Sequence, residues 1–293
     1  MEKLAYEGIE IAYAVDGAGA DLLFVHNGGT SSTIWRHQVA ALAARYRVIA
    51  VDLPGFGCAV RQTRPADWPS QVALLGKVLD AVNATAVLAA GNCMGSNLVV
   101  GLATARPELV RALVLVNPLT ESTFSAGWLG ALHSVDRVAP WPSRTVRGLA
   151  RRFVPPRMAA TTALRMQLGD KGVAKGLHHD PDLLAANQRK DQFPALIDVL
   201  DDMHAYGKLD RGTGGSLPPV CTIWGAQNKM LSPRAGAALN EVLGAVRTEV
   251  LAGCGHLPML EDPEAVTAVI DDFARRHLVG LARDESSSAS SSI

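Results

Sequence analysis

Gly91-Asn92-Cys93-Met94-Gly95 is the stretch on which the reading of this chain turns. It follows the apolar run Thr85-Ala86-Val87-Leu88-Ala89-Ala90 and precedes a segment, Ser96 to Thr104, with the pattern of a helix. A strand, a tight bend with glycine on both sides, and a helix would leave the central residue in a strained conformation, with its side chain lifted above the strand ends. A Cβ at either flanking position would collide with the neighbouring strand or helix, and glycine has none. A helix that begins just after Cys93 also aims free backbone N–H groups and the positive end of its dipole at the sulfur. That environment favours the thiolate, the reactive form of cysteine.

The rest of the chain is consistent with one large α/β unit. It has 293 residues, 48% of them apolar and 19% charged, enough for a sizeable buried core. Lys and Arg total 28 and Asp and Glu total 28, a balance that predicts neither a nucleic-acid nor a membrane partner. No apolar run approaches the roughly 18 residues of a membrane span, and Met1-Glu2-Lys3-Leu4 lacks the features of a signal peptide. A cytoplasmic location is therefore expected. Cys58, Cys93, Cys221 and Cys254 are widely spaced and suit reduced thiols. No CxxC or HxxxH pair suggests a metal site, and no cofactor is expected.

Short, near-continuous apolar runs recur at Leu22 to Val25, Val48 to Val51, Ala86 to Ala90, Leu113 to Val116, Val220 to Trp224 and Glu249 to Ala252. Such runs fit strands buried on both faces of a parallel sheet. Helical patterns lie between them, near Ile34 to Tyr46, Ser70 to Val82, Met94 to Ala105, Arg234 to Val242 and Pro263 to His277, and Leu4 to Val15 reads as a leading antiparallel hairpin. This predicts a doubly wound, mostly parallel sheet of about eight strands, with ligands at the carboxyl ends of the strands. The alternation stops between residues 119 and 217, where helical stretches occur without a convincing strand. The expected organisation is core 1–118, helical cap 119–217, core 218–282 and a serine-rich tail, 283–293.

Over roughly residues 3–280 the chain resembles an α/β-hydrolase. The pentapeptide resembles the nucleophile elbow of that family, with cysteine where serine is usual. Val25-His26-Asn27-Gly28-Gly29-Thr30 resembles the loop that supplies one oxyanion-hole donor, assigned to Gly28 with Asn27 as the alternative; the resemblance puts the other donor on the N–H of Met94, and makes His26 a brace for the loop. Ile223-Trp224-Gly225-Ala226-Gln227-Asn228 resembles the turn that carries the acid of the triad, and here the acid position holds Asn228. The other position used by relatives is Asn117, in Val116-Asn117-Pro118, and Glu121 is the nearest carboxylate. Ala252-Gly253-Cys254-Gly255-His256-Leu257-Pro258 resembles the loop bearing the general base, His256. Asn27, Trp35 and Asn117 are expected to line the substrate pocket, and Asp52 matches a structural loop.

The two substitutions fit one another. In a serine enzyme, exchanging the aspartate of the triad for asparagine costs about 10⁴ in rate, on the order of 5.5 kcal/mol. A thiol ionises more easily, so Cys93 and His256 could rest as an ion pair while Asn228 orients the ring, the Cys-His-Asn arrangement of papain-like proteases. The resemblance thus implies an esterase, thioesterase or acyltransferase that works through a Cys93 acyl-enzyme. The alternative is a degenerate relative that acts as a small-molecule binding or scaffold protein. Between residues 134 and 175 there are nine basic residues, among them Arg151 and Arg152, against Asp136 and Asp170. Such an excess suits an acyl substrate presented on coenzyme A or on an acyl carrier protein.

Overall fold

The computed structural model describes residues 1–60, 65–128, 130, 148 and 153–278. Its centre is an eight-stranded sheet built from β1 (Glu2–Tyr6), β2 (Ile9–Asp16), β3 (Ala20–Val25), β4 (Tyr46–Asp52), β5 (Val87–Asn92), β6 (Val110–Val116), β7 (Val220–Gly225) and β8 (Arg247–Leu251). The strand order is β1-β2-β4-β3-β5-β6-β7-β8. The pairs β1–β2 and β2–β4 are antiparallel and the remaining neighbours run parallel. Glu7 and Gly8, both at positive φ, make the two-residue bend that closes the leading hairpin.

The apolar runs form strands because both of their faces are covered. On β3, β4 and β5, Leu23, Val25, Ile49, Val51, Val87 and Ala89 point into one core, while Leu22, Phe24, Val48, Ala50, Leu88 and Ala90 point into the other. The first core is closed by α2 (Trp68–Ala81) and α3 (Met94–Ala105), the second by α1 (Arg36–Leu42) and by a helix near the end of the described chain, Pro263–His277. β8 is the exception. It lies at the sheet edge, its side chains alternate between half-buried and exposed, and it begins at Arg247, two residues earlier than its apolar pattern suggested.

Between β6 and β7 the described residues contain helices and no strand. These are α4 (Glu121–Ser125), α5 (Arg157–Gln167), α6 (Asp170–Ala174), α7 (Pro181–Asn187), α8 (Gln192–Asp201) and α9 (Met203–Tyr206), with two short 3-10 turns. The sequence pattern between residues 119 and 217 also predicts a helix over Ser143 to Phe153, a stretch that lies largely outside the described residues. After β7 come α10 (Pro233–Val242), α11 (Pro258–Glu261) and α12 (Pro263–His277). Among the described residues, the helices between β6 and β7 do not form a core of their own. Ala195, Val199, Met203 and Tyr206 join the core on the α3 side, while Ala160, Leu164, Leu183 and Leu184 join the opposite one. None of the helices found is long and apolar enough to cross a membrane.

Candidate active site

Cys93 sits at φ +55°, ψ −115°, between the end of β5 and the start of α3. This is a strained conformation for a residue with a Cβ, and the surroundings enforce it. Its N–H donates to the Val116 carbonyl at 2.9 Å, and its own carbonyl accepts from Ser96 and Leu119. The Ser96 hydroxyl reaches back to the Gly91 and Val116 carbonyls at 2.7 and 2.9 Å. A Cβ on Gly91 would lie 2.3 Å from the Gly95 backbone, and one on Gly95 would lie 2.5 Å from the Val25 carbonyl oxygen. Both glycines are thus demanded by backbone contacts that cannot give way.

The loop after β3 lies against this bend. A Cβ on Gly28 would come 2.9 Å from Leu196 of α8 and 3.3 Å from the Met94 sulfur. No protein acceptor among the described residues takes the Gly28 N–H. His26 braces the loop: its Nε2 accepts from the Leu53 N–H at 2.9 Å, and its Nδ1 lies 2.7 Å from the Asn27 carbonyl. Since Leu53 donates to Nε2, the ring proton is on Nδ1 and points at Asn27. Asp52 also works on the backbone, accepting from Ser32 and Cys58 at 2.7 Å each.

Asn27 does not line a pocket. It is buried, its amide donates to the Gly28 carbonyl at 2.9 Å, and its Oδ1 accepts from Thr30 at 2.6 Å. Trp35 is not a pocket wall either. It is fully buried in the core on the α12 side of the sheet, stacked on Phe24 with ring centres 5.0 Å apart. Asn117 is likewise enclosed, at φ +44°. Its Oδ1 accepts from the Gly225 N–H at 3.0 Å and its Nδ2 reaches the Gly255 and His256 carbonyls. It therefore ties the ends of β6 and β7 to the histidine loop and offers nothing to a ligand.

His256 is buried, with its Nδ1 3.3 Å from Asn228 Oδ1. The orientation of the Asn228 amide is fixed by its other partners. The Met230 and Leu231 N–H groups approach the same atom at 3.0 and 3.2 Å, so that atom is the oxygen. His256 must then carry its proton on Nδ1, which leaves Nε2 free as an acceptor. Among the described residues, the Asn228 Nδ2 is buried without a partner. Asn92, next to Cys93, donates to the His256 carbonyl at 3.3 Å and so links the two turns.

The charge states differ from the ion pair expected from sequence. Cys93 retains some exposed surface, but burial pushes its thiol up to about 12, and the Met94 N–H opposes this only in part. Burial also pulls His256 down to about 4. Desolvation disfavours a charge on either group, and here it outweighs the helix N-terminus. Burial thus favours the neutral thiol and the neutral imidazole over the charged forms.

Sequence reasoning passed over Glu261, whose side chain is fully buried beneath the histidine loop. Its carboxylate accepts from the Gly255 and Leu257 N–H groups on both sides of His256, at 2.9 and 3.0 Å, and from Gly169 at 2.7 Å. The segment Gln167–Lys171 lies along the same loop. Its Gln167 carbonyl accepts from the His256 N–H at 2.7 Å, and its Lys171 N–H donates to the Gly253 carbonyl at 2.9 Å. Asp170 and Gln227 exchange two hydrogen bonds of 2.7 Å. A lone glutamate three residues after Pro258 carries no sequence signal for this role, because its partners come from distant segments.

Of the cations counted between residues 134 and 175, Arg137, Arg144, Arg147, Arg151 and Arg152 lie outside the described residues. Lys171 is paired with Asp262, and Arg165 lies 3.5 Å from the His178 ring. Among the described residues, no three potential metal ligands come together.

Comparison with known proteins agrees with this architecture. The 2-hydroxy-6-oxo-6-(2'-aminophenyl)hexa-2,4-dienoic acid hydrolase of Metapseudomonas resinovorans is 32% identical over 94% of this chain and 89% of its own length. An uncharacterized protein of Mycobacterium bovis is 24% identical over 91% of this chain and 78% of its own. Among solved structures, a thermophilic esterase from Thermogutta terrifontis superposes with a TM-score of 0.77 over 94% of this chain and 99% of that one, at 19% identity. The alpha/beta hydrolase fold family matches residues 22–263, and the chain belongs to that family.

Proposed function

We propose that this chain is an enzyme that cleaves or transfers an acyl group, from an ester or thioester, through a Cys93 acyl-enzyme. The observations that support the proposal are a cysteine forced into the elbow conformation, an Asn92 amide that links that turn to the His256 carbonyl, and a histidine whose free nitrogen is Nε2. The hydrolases among its relatives support an enzymatic reading.

Because burial favours the neutral pair, the proton must move during attack. Sγ bonds to the acyl carbon as its proton passes to His256 Nε2, and the carbonyl electrons move onto oxygen. The Gly28 and Met94 N–H groups are assigned to that oxyanion. Collapse breaks the bond to the leaving group, which takes the proton from Nε2. Water or another acceptor then attacks the thioester with the same histidine as base. Asn228 steadies the ring through Nδ1 but brings no charge to the imidazolium. A thiol tolerates this better than a serine hydroxyl, since it loses its proton more readily.

A small-molecule acyl substrate, ester or thioester, is expected. Presentation on coenzyme A or an acyl carrier protein is supported only by the basic excess between residues 134 and 175. The degenerate reading, a binding or scaffold protein, draws on the same neutral pair, since a protonated thiol is a weak nucleophile.

Intact-protein mass spectrometry after exposure to activated acyl thioesters separates the two. The enzyme reading requires an acyl adduct on Cys93 that turns over, is absent in Cys93→Ala and forms at least a hundredfold more slowly in His256→Ala. No adduct on the wild-type chain, with ligands still raising Tm, would leave the binding reading standing.

A further inference from the structure

β8 is the outermost strand of the sheet, and among the described residues it pairs with β7 alone. The Val246 N–H, just before the strand, donates to the Val220 carbonyl at 2.9 Å. By alternation Val246, Thr248 and Val250 turn their backbone groups toward β7, and Arg247 and Glu249 turn theirs to the open edge. Such an edge is a ready template for another strand. At this one Val246 is 68% exposed and Val250 is 60% exposed. They flank Thr248 on one face of the strand, where the Thr248 hydroxyl meets Thr222 at 3.0 Å and Asn240 of α10 at 3.3 Å. On the other face Arg247 donates to Glu249 at 2.8 Å and to Asp272 of α12 at 2.7 Å.

We propose that a second copy of this chain occupies the β8 edge, the two strands running antiparallel about a two-fold axis at Thr248. In an antiparallel pair, residues that sit opposite each other turn their backbone groups the same way, so the axis must fall on a residue and not between two. With the axis at Thr248, Arg247 faces Glu249 of the second copy, and each such pair exchanges both of its N–H to C=O bonds. Val246 then covers Val250 of the second copy, and the two threonines meet at the axis. Opposite charges, paired threonines and packed apolar side chains are all favourable across strands.

Other registers fail. An axis at Arg247 or at Glu249 sets identical charges opposite one another, which is unfavourable. An axis at Val250 needs the Leu251 carbonyl, which already accepts from Ala226 and Cys254. The strand is therefore complementary to its own reversed copy in a single register, and this self-match singles out a second copy of the chain over an unrelated strand. The axis stands perpendicular to the sheet, so the carboxyl ends of the two sheets face opposite ways. β6 and β7 separate each Cys93 turn from the junction, and the pairing is independent of the chemistry at Cys93.

Sedimentation equilibrium of the full chain over a range of concentrations tests this. The wild type should pass from monomer to dimer, and amide exchange at Arg247 and Glu249 should slow as the dimer fills. Val246→Glu and Val250→Lys each change an exposed side chain, so Tm of the monomer should hardly move. Each should weaken the dimer about tenfold or more, because the symmetry sets two charges against valines at once. Combined in one chain, the two substitutions place opposite charges across the axis, and the double variant should dimerise about tenfold more tightly than either single variant. That recovery belongs to the Thr248-centred register alone. A monomer at every concentration, a dimer indifferent to Val250→Lys, or a double variant no tighter than the single ones would overturn the proposal.

Discussion

The Cys93 turn takes its shape from the strand ends around it, whereas the His256 turn takes its shape from Glu261 of α11 together with residues 167–169, between β6 and β7. Around Cys93, the restraints are two glycines without room for a Cβ and hydrogen bonds to the end of β6. Around His256, they are the Gln167 carbonyl, the Gly169 N–H and a buried carboxylate, Glu261, that accepts from both sides. One turn is held by steric exclusion and the other by polar satisfaction, and the two should fail differently. Overpacking distorts the backbone, while a lost acceptor leaves buried N–H groups that pay for their desolvation in full.

Perturbing the steric side should have the largest effect. Gly91→Ala or Gly95→Ala must push backbone against backbone, and we expect a loss of about 3 kcal/mol or more in urea unfolding, together with all activity. A fully active, stable Gly95→Ala variant would break the comparison. On the polar side, Glu261→Ala leaves the N–H groups of Gly169, Gly255 and Leu257 without their acceptor. A cost on the order of 3 kcal/mol follows, with amide exchange accelerated at 253–257 and 167–171 and unchanged at the elbow. If exchange rises equally at both turns, they are not held independently.

Asn228→Ala should cost less, about ten- to a hundredfold in rate, because it frees the imidazole without touching the sheet. Asn228→Asp sharpens the comparison further. A carboxylate would raise the His256 pKa toward and above its ordinary value, so alkylation of Cys93 at pH 6 should quicken. The smallest signal is the pH dependence of that alkylation in the wild type. With the thiol near 12, iodoacetamide labelling should climb about tenfold per pH unit from pH 6 to 9. A flat profile would mean that the pair rests charged after all. The sign of the stability effect is also fixed. His256 binds a proton more weakly folded than unfolded, so acidification from about 6.5 toward 4 must lower Tm.

The elbow was legible in the sequence because its determinants are local: an apolar run, two glycines and a helix, all within twenty residues. The strands were legible for the same reason, and His256 and Asn228, each expected from its own local pattern, lie 3.3 Å apart. What escaped was set by contacts distant in the chain. Asn27 and Asn117 were expected in the pocket by position, but their amides are consumed by neighbouring backbone, and Trp35 found a partner in Phe24 beneath the sheet. A helix N-terminus at Cys93 can be read from a sequence, while the desolvation that opposes its effect on the thiol cannot. Glu261 was invisible until Gly169, ninety-two residues away, was seen to donate to it.

The clasp between residues 167–171 and the His256 turn also ties the two segments mechanically. Swinging residues 167–171 aside would take the Gln167 acceptor from the His256 N–H and the Gly169 donor from Glu261 together. Any rearrangement of that segment is therefore felt at the imidazole at once, with no intervening element to absorb it.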